Sequence, residues 1–162
     1  MMALFEAMIT DYGYVAIFLV LALGIFSLPI PDELMILLVG YFTKIGLLRY
    51  DLTFVVVCIG SFVGMLFSYF IGQRAGRPLL DWLGRWMSAP RKWSSKAETW
   101  IGKYGAVALV VSYFVPGMRH FAGYFCGMSH MSIKTYAFYT SISVGIWSLV
   151  FLTIGRFFNF LG

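Results

Sequence analysis

Long apolar stretches alternate with short polar breaks along this chain, and the lengths of the pieces decide what they form. From Tyr14 to Phe42 the sequence is predominantly apolar and is interrupted at Pro29, Pro31, Asp32 and Glu33. The break leaves arms of about seventeen and nine residues, while roughly twenty are needed to cross a bilayer as helix. The second arm cannot cross alone. Irregular backbone at membrane depth is tolerated only where protein or a water-filled cavity satisfies its polar groups. The pattern therefore predicts a re-entrant helical hairpin over residues 13–46.

Residues 53–73 read as a spanning helix. Gly60, Gly64, Ser68, Gly72 and Gly76 recur at every fourth position, which places them on one helical face where small residues let another helix approach closely. That face suits packing within the chain or between copies in a homo-oligomer. Residues 74–103 change character: charges, Pro78, Pro90, Ser94 and Ser95 alternate with Leu79, Leu80, Trp82, Leu83, Trp86, Trp93 and Trp100. The mixture predicts an amphipathic basic linker lying at the cytoplasmic interface, tryptophan at headgroup level and cations toward phosphate. A second broken segment, residues 104–131, has arms of about twelve and nine residues around Pro116, Gly117 and Arg119 and predicts a second re-entrant hairpin. Residues 135–158, with Ser141 and Gly145 at helical spacing, read as a second spanning helix.

The halves also resemble each other. Tyr-Gly-Tyr-Val-Ala at 12–16 returns as Tyr-Gly-Ala-Val-Ala at 104–108, and each hairpin is followed by a spanning helix ending in Ile-Gly, at 71–72 and 154–155. One crossing per half gives the halves opposite orientation, and inverted repeats place substrate at their interface near the midplane. The expected fold is thus all-α and integral to the membrane: two inverted repeats, each a hairpin plus a transmembrane helix, with their proline tips facing each other.

Composition narrows the class. Of 162 residues 60% are hydrophobic and 12% charged, against about a quarter charged in soluble domains, so a single multi-pass membrane domain is expected. The net charge of +5 does not argue for nucleic acid, because seven of the twelve cations lie between Arg74 and Lys103, where they match anionic headgroups and the positive-inside rule. Glu6 and Asp11 precede the first apolar run, which is unlike a cleaved secretory signal. Cys58 and Cys126 sit in apolar runs with no metal-ligand spacing, so no metal or other cofactor is expected. No nucleophile elbow or Walker loop is present, which argues against an enzyme and against ATP-driven transport.

The candidate chemistry lies at the two breaks. Asp32 and Glu33 are carboxylates within a membrane segment, where ionisable residues are functional candidates. They can bind an amine headgroup or exchange a proton, or belong to a solvated turn at the bilayer surface. Arg119 follows Pro116 and Gly117, whose backbone is expected to expose N–H groups, and guanidinium offers forked donors matched to phosphate oxygens. An internal ion pair with Asp32 or Glu33 is the structural alternative. Tyr113 lies within the second tip and is a candidate for lining the substrate path. His120, and less so His130, are candidates for proton coupling alongside Glu33 and Asp32.

Pro29-Ile30-Pro31-Asp32-Glu33 followed by Gly40, the glycine-bearing helix ending at Gly72 and Gly76, and Phe114-Val115-Pro116-Gly117-Met118-Arg119 followed by Gly127 together resemble the DedA family. Its domain is also called VTT or SNARE-associated, and the likeness extends from about residue 12 to residue 158. The resemblance implies two membrane-embedded hairpins and a lipid transporter, or flippase, of the bacterial cytoplasmic membrane. Members are linked to recycling undecaprenyl phosphate or distributing phosphatidylethanolamine between leaflets, some with dependence on the proton-motive force. Arg119 matches the second of two family arginines and Glu33 the acidic residue of the first tip. Gly24 stands where many members carry a glutamate, and Tyr113 where many carry the first arginine.

One cation with two carboxylates suits a phospholipid with one phosphate and one ammonium, so phosphatidylethanolamine is the expected substrate. A polyprenyl phosphate, undecaprenyl phosphate, is the alternative. A proton-coupled antiporter of small cations using Asp32 and Glu33, or a non-transporting scaffold, would be the reading from another functional class.

Overall fold

A computed structural model of the chain describes residues 2–23, 32–86, 99–115 and 118–158, with side chains for 12–23, 32–78, 99–115 and 118–158. The helices are α1 (Met2–Ala22), α2 (Asp32–Lys44), α3 (Tyr50–Trp86), α4 (Ala106–Tyr113), α5 (Met118–Met128) and α6 (Ile133–Phe157), and residues 99–104 are helical ahead of α4. Gly24 and Pro29–Pro31 of the first break, Pro116 and Gly117 of the second, and Pro90, Trp93, Ser94 and Ser95 of the linker lie outside the described residues.

Helix length separates two classes of element. Among the described residues only Tyr50–Pro78 and Ile133–Phe157 are long and apolar enough to cross a membrane. At 1.5 Å per residue the 13 residues of α2 reach about 20 Å and the 11 of α5 about 16 Å, short of a hydrocarbon core of about 30 Å. Unlike those of a soluble protein, the two long helices are apolar on their exposed face, while their buried face mixes apolar residues such as Val57, Met65, Val144 and Leu152 with small hydroxyl residues. Thr53, Ser61, Ser68, Thr140, Ser143 and Ser148 are buried, while Val55, Ile59, Phe67, Phe138, Ile142, Ile146 and Leu149 are exposed. Apolar side chains outside and small hydroxyl residues inside is the arrangement expected when the solvent is lipid. The protein is all-α, with the packing of a multi-pass membrane protein.

The apolar run of α3 ends near Gly72, but the helix does not. It continues to Trp86 across a break at Gly76, whose φ of 53° and ψ of −150° are open only to glycine. Pro78 follows two residues later, in the first turn of the resumed helix, where its missing N–H is harmless. The boundary between the long apolar helix and the linker is therefore a backbone joint at Gly76 that separates two helical segments.

The chain divides into two compact units, Met1–Gly64 with Val144–Gly162, and Met65–Ser143. In the first, α1 lies against α3: a β-carbon at Gly60 would stand 3.2 Å from the Phe18 carbonyl oxygen, and one at Gly64 would strike that of Leu21. The short helix α2 lies against the end of α6. A β-carbon at Gly40 would stand 2.5 Å from the Leu152 carbonyl oxygen and 3.0 Å from Arg156 N, and one at Gly155 would meet the Leu37 Cα at 2.7 Å. Polar pairs close the rim: Tyr50 Oη and Thr153 Oγ1 share a 2.8 Å hydrogen bond, the Arg156 guanidinium lies 5.2 Å from the Tyr50 ring centroid, and Arg49 N donates to Tyr14 Oη at 2.9 Å.

The second unit repeats the device with other residues. A β-carbon at Gly127 of α5 would stand 2.8 Å from the Tyr69 carbonyl carbon and 2.9 Å from Gln73 N, and one at Gly72 would be 2.9 Å from Tyr124 Cα. Three phenols then tie helices to main-chain carbonyls. Tyr69 Oη donates to Met131 O at 2.5 Å, Tyr136 Oη to Met65 O at 2.8 Å, and Tyr124 Oη to Gly76 O at the joint of α3. The rings of Tyr69 and Tyr136 stack with centroids 4.6 Å apart. Met65, Leu109, Tyr113 and Phe125 complete this core.

Candidate functional site

The basic site is built where α4 returns into α5. Main-chain bonds close the end of α4, with Phe114 N donating to Val111 O and Val115 N to Ser112 O, and Met118 N donates back to Val115 O at 3.0 Å. The N–H groups of Phe114, Val115 and Met118 are thus already committed to protein carbonyls.

Arg119 occupies the first turn of α5, the end where the helix dipole favours an anion. It is only 3% exposed, so a permanently charged side chain has been taken almost wholly out of solvent. Its guanidinium carbon lies 5.7 Å from the centroid of the fully buried Tyr113 ring, within cation–π range. Arg119 Nε donates to His120 Nε2 at 3.3 Å, and His120 Nδ1 lies 3.3 Å from Ser68 Oγ on α3. Four residues from three helices, Tyr113, Arg119, His120 and Ser68, therefore form one cluster. Chemically it can neutralise an anion with forked donors while an aromatic face shields the guanidinium.

The acidic site belongs to the other unit. Asp32 and Glu33 open α2, half-buried in its first turn, where carboxylates complement the helix dipole by about 0.3–1 kcal/mol. Their place thus has a local structural reason in addition to any role in transport. Gly60 and Gly64 lie against α1, Gly72 lies against α5, and Ser68 between them holds His120. His130 is exposed, with a φ of 54° in the turn that ends α5. No cluster of three or more potential metal ligands occurs among the described residues.

The Ser68 contact was invisible to spacing, which counts a serine in a glycine ladder as one more small residue. The signal that could have found it is the hydroxyl itself, polar where four neighbours on that face have no side chain. The phenol bonds of Tyr69, Tyr124 and Tyr136 had no sequence signal, because tyrosine is common at membrane interfaces for other reasons.

A family profile described as the VTT domain matches residues 30–157, most of the chain and both sites. This chain belongs to the VTT-domain, or DedA, family. The uncharacterized membrane protein YbfM of Bacillus subtilis is 48% identical over 155 residues, covering 96% of each chain. Undecaprenyl phosphate transporter A of the same organism is 28% identical over 147 residues, covering 91% of this chain and 72% of its own. Protein DedA of Escherichia coli is 28% identical over 160 residues, covering 94% and 73%. No solved structure matches this chain. As a VTT-family member the protein is a multi-pass bacterial membrane protein with a role in transport rather than catalysis.

Proposed function

We propose that this VTT-family protein carries a lipid with a phosphate headgroup between leaflets, and that undecaprenyl phosphate is the substrate to test first. The observation that carries the reading is Arg119, a buried cation at the start of a helix too short to cross, stacked on Tyr113. Retaining a charge at such depth is costly and marks an ion or substrate path. A phosphate oxygen pair is the partner a guanidinium fork fits best.

Sequence alone favours phosphatidylethanolamine, because Tyr113 replaces one arginine and two carboxylates remain. Two considerations turn the preference. The carboxylates have the dipole of α2 as their own reason to be there, and relatives along most of this chain are named as transporters of undecaprenyl phosphate. Tyr113 does not replace the missing charge, but its ring lies by Arg119 and favours the cation that remains.

The architecture we propose is the pair of inverted repeats with re-entrant hairpins. Its support is a repeated contact. Each hairpin's short second arm closes, glycine to backbone, on the Ile-Gly end of the other repeat's spanning helix: Gly40 at Gly155, and Gly127 beside Gly72. In this scheme Arg119 and the Gly117 N–H at the Pro116-Gly117 break hold phosphate, and Glu33 and Asp32 exchange the proton that accompanies it.

Leaflet exchange in proteoliposomes tests the proposal. Arg119→Ala and Glu33→Ala are expected to insert normally and lose exchange of undecaprenyl phosphate; wild-type rates in either variant refute that residue's role. Faster exchange of phosphatidylethanolamine by the unaltered protein would restore the zwitterion, and the carboxylates would then serve as its ammonium site. Ion flux without any lipid exchange would favour a cation antiporter.

A further inference from the structure

The phosphate reading assigns Arg119 a ligand but leaves open what aims its guanidinium. Arginine has N–H donors and no acceptor, so the 3.3 Å contact between Arg119 Nε and His120 Nε2 is a donation into a lone pair on the ring. A bare Nε2 means that the neutral imidazole carries its proton on Nδ1. Nδ1 lies 3.3 Å from Ser68 Oγ, and in this tautomer it donates to that hydroxyl. The Arg119 contact thus selects one ring state, and the Ser68 contact is compatible with it.

We infer that Ser68 and His120 are positioning residues for Arg119, holding its Nε so that phosphate is met end-on by the two terminal nitrogens. A guanidinium can grip an anion through both terminal nitrogens or through Nε and one of them. Commitment of Nε to His120 removes the second mode. The inference deepens the proposed function and rests on Arg119 being its phosphate ligand.

The arrangement has a pH limit. Protonation of His120 removes the accepting lone pair and sets a second positive charge beside the guanidinium. The geometry therefore holds while the ring is neutral and is lost as pH falls through its titration. Among the described residues, the groups brought to this corner include Arg119 on the same helix, the Tyr113 ring of α4 beside that guanidinium, the Ser68 hydroxyl of α3 and the Tyr136 phenol of α6. The last of these donates to Met65 O and would lie 2.7 Å from a β-carbon at Gly123.

Nitrogen-15 NMR of histidine-labelled protein in lipid nanodiscs reads the tautomer directly. The chain has two histidines, and His120→Gln assigns their signals. At alkaline pH His120 is expected to be protonated at Nδ1, and Ser68→Ala is expected to move the proton toward Nε2. Protonation at Nε2 in the unaltered protein overturns the inference.

In proteoliposomes with undecaprenyl phosphate, His120→Leu is expected to slow exchange about tenfold, the scale of one hydrogen bond to a charged group. His120→Gln, whose amide oxygen can accept from Arg119 Nε, should keep most of the rate and hold it on acidification, where the unaltered protein declines as His120 protonates. Wild-type rates for His120→Leu, or superimposed pH profiles for His120→Gln and wild type, also overturn it. Full exchange by Arg119→Ala would refute the phosphate reading instead, and the tautomer would still judge the geometry on its own.

Discussion

Replacing Gly40 with alanine probes the crossing that holds the short helix α2 against α6. The new β-carbon would stand 2.5 Å from the Leu152 carbonyl oxygen and 3.0 Å from both Arg156 N and Gly155 Cα, where ordinary contact begins at 3.4 Å. All three neighbours are main-chain atoms of α6, so no side chain can rotate away. Helices α2 and α6 must separate by roughly 1 Å, and a radial gap of that size forfeits a quarter to a half of each dispersion contact along the crossing. Overpacking of this kind costs about 1–3 kcal/mol, and alanine returns up to about 1 kcal/mol through helix propensity.

A net loss near 1 kcal/mol corresponds to a fall in Tm of roughly 2–4 °C for a chain of this size. Thermal unfolding of purified protein in a mild detergent measures it. Gly145→Ala is the control, because nothing lies within 4 Å of a β-carbon there. Gly145 sits inside α6, so the control is expected to gain up to about 1 kcal/mol from propensity alone. Equal melting of Gly40→Ala and wild type, or an equal fall in the control, would refute the reasoning.

Gly40→Ala and Gly155→Ala open the same gap, so the double variant is expected to lose clearly less stability than the sum of the singles in the same melts. Gly76→Ala forces a β-carbon into a glycine-only conformation and should cost about 1–3 kcal/mol, with faster hydrogen exchange in residues near the joint; unchanged exchange would contradict it. Tyr124→Phe removes the phenol that bonds Gly76 O and should lower stability by about 0.5–1.5 kcal/mol, with no effect expected if the carbonyl is equally well served by water. Arg119→Lys keeps the charge but lacks both the Nε donor and the fork; it is expected to transport poorly, and wild-type exchange would show that charge alone suffices.

The two long apolar helices and the short helices α2 and α5 were legible because each is written in consecutive residues: run length, a proline break and a following polar pair. The joint at Gly76 was only half legible. Change of composition near residue 74 marks the end of the apolar face, but composition does not say that the backbone stays helical on the far side. The ladder from Gly60 to Gly76 was read as one surface, and the structure divides it. Gly60 and Gly64 receive α1, Ser68 receives a histidine, Gly72 receives α5, and Gly76 breaks the helix. Partner identity depends on which chain segment returns to that face, and no local pattern carries it. The basic site divides in the same way. Arg119 stands out as a lone charge in an apolar run, whereas its partners Ser68 and Tyr113 come from distant sequence and are recognisable only once the helices meet.

The two glycine crossings also bear on how a transporter of this kind can move. Most helix pairs interlock through side chains, and sliding one past the other means lifting knobs out of holes. At Gly40 with Gly155, and at Gly127 beside Gly72, the surfaces that touch are bare main chain. Smooth surfaces let two helices approach to main-chain distance, so each crossing works as a bearing: it fixes where a short helix is held, and at the second the Tyr124 bond to Gly76 O also limits its tilt. A β-carbon at either bearing would act less as a lost contact than as grit.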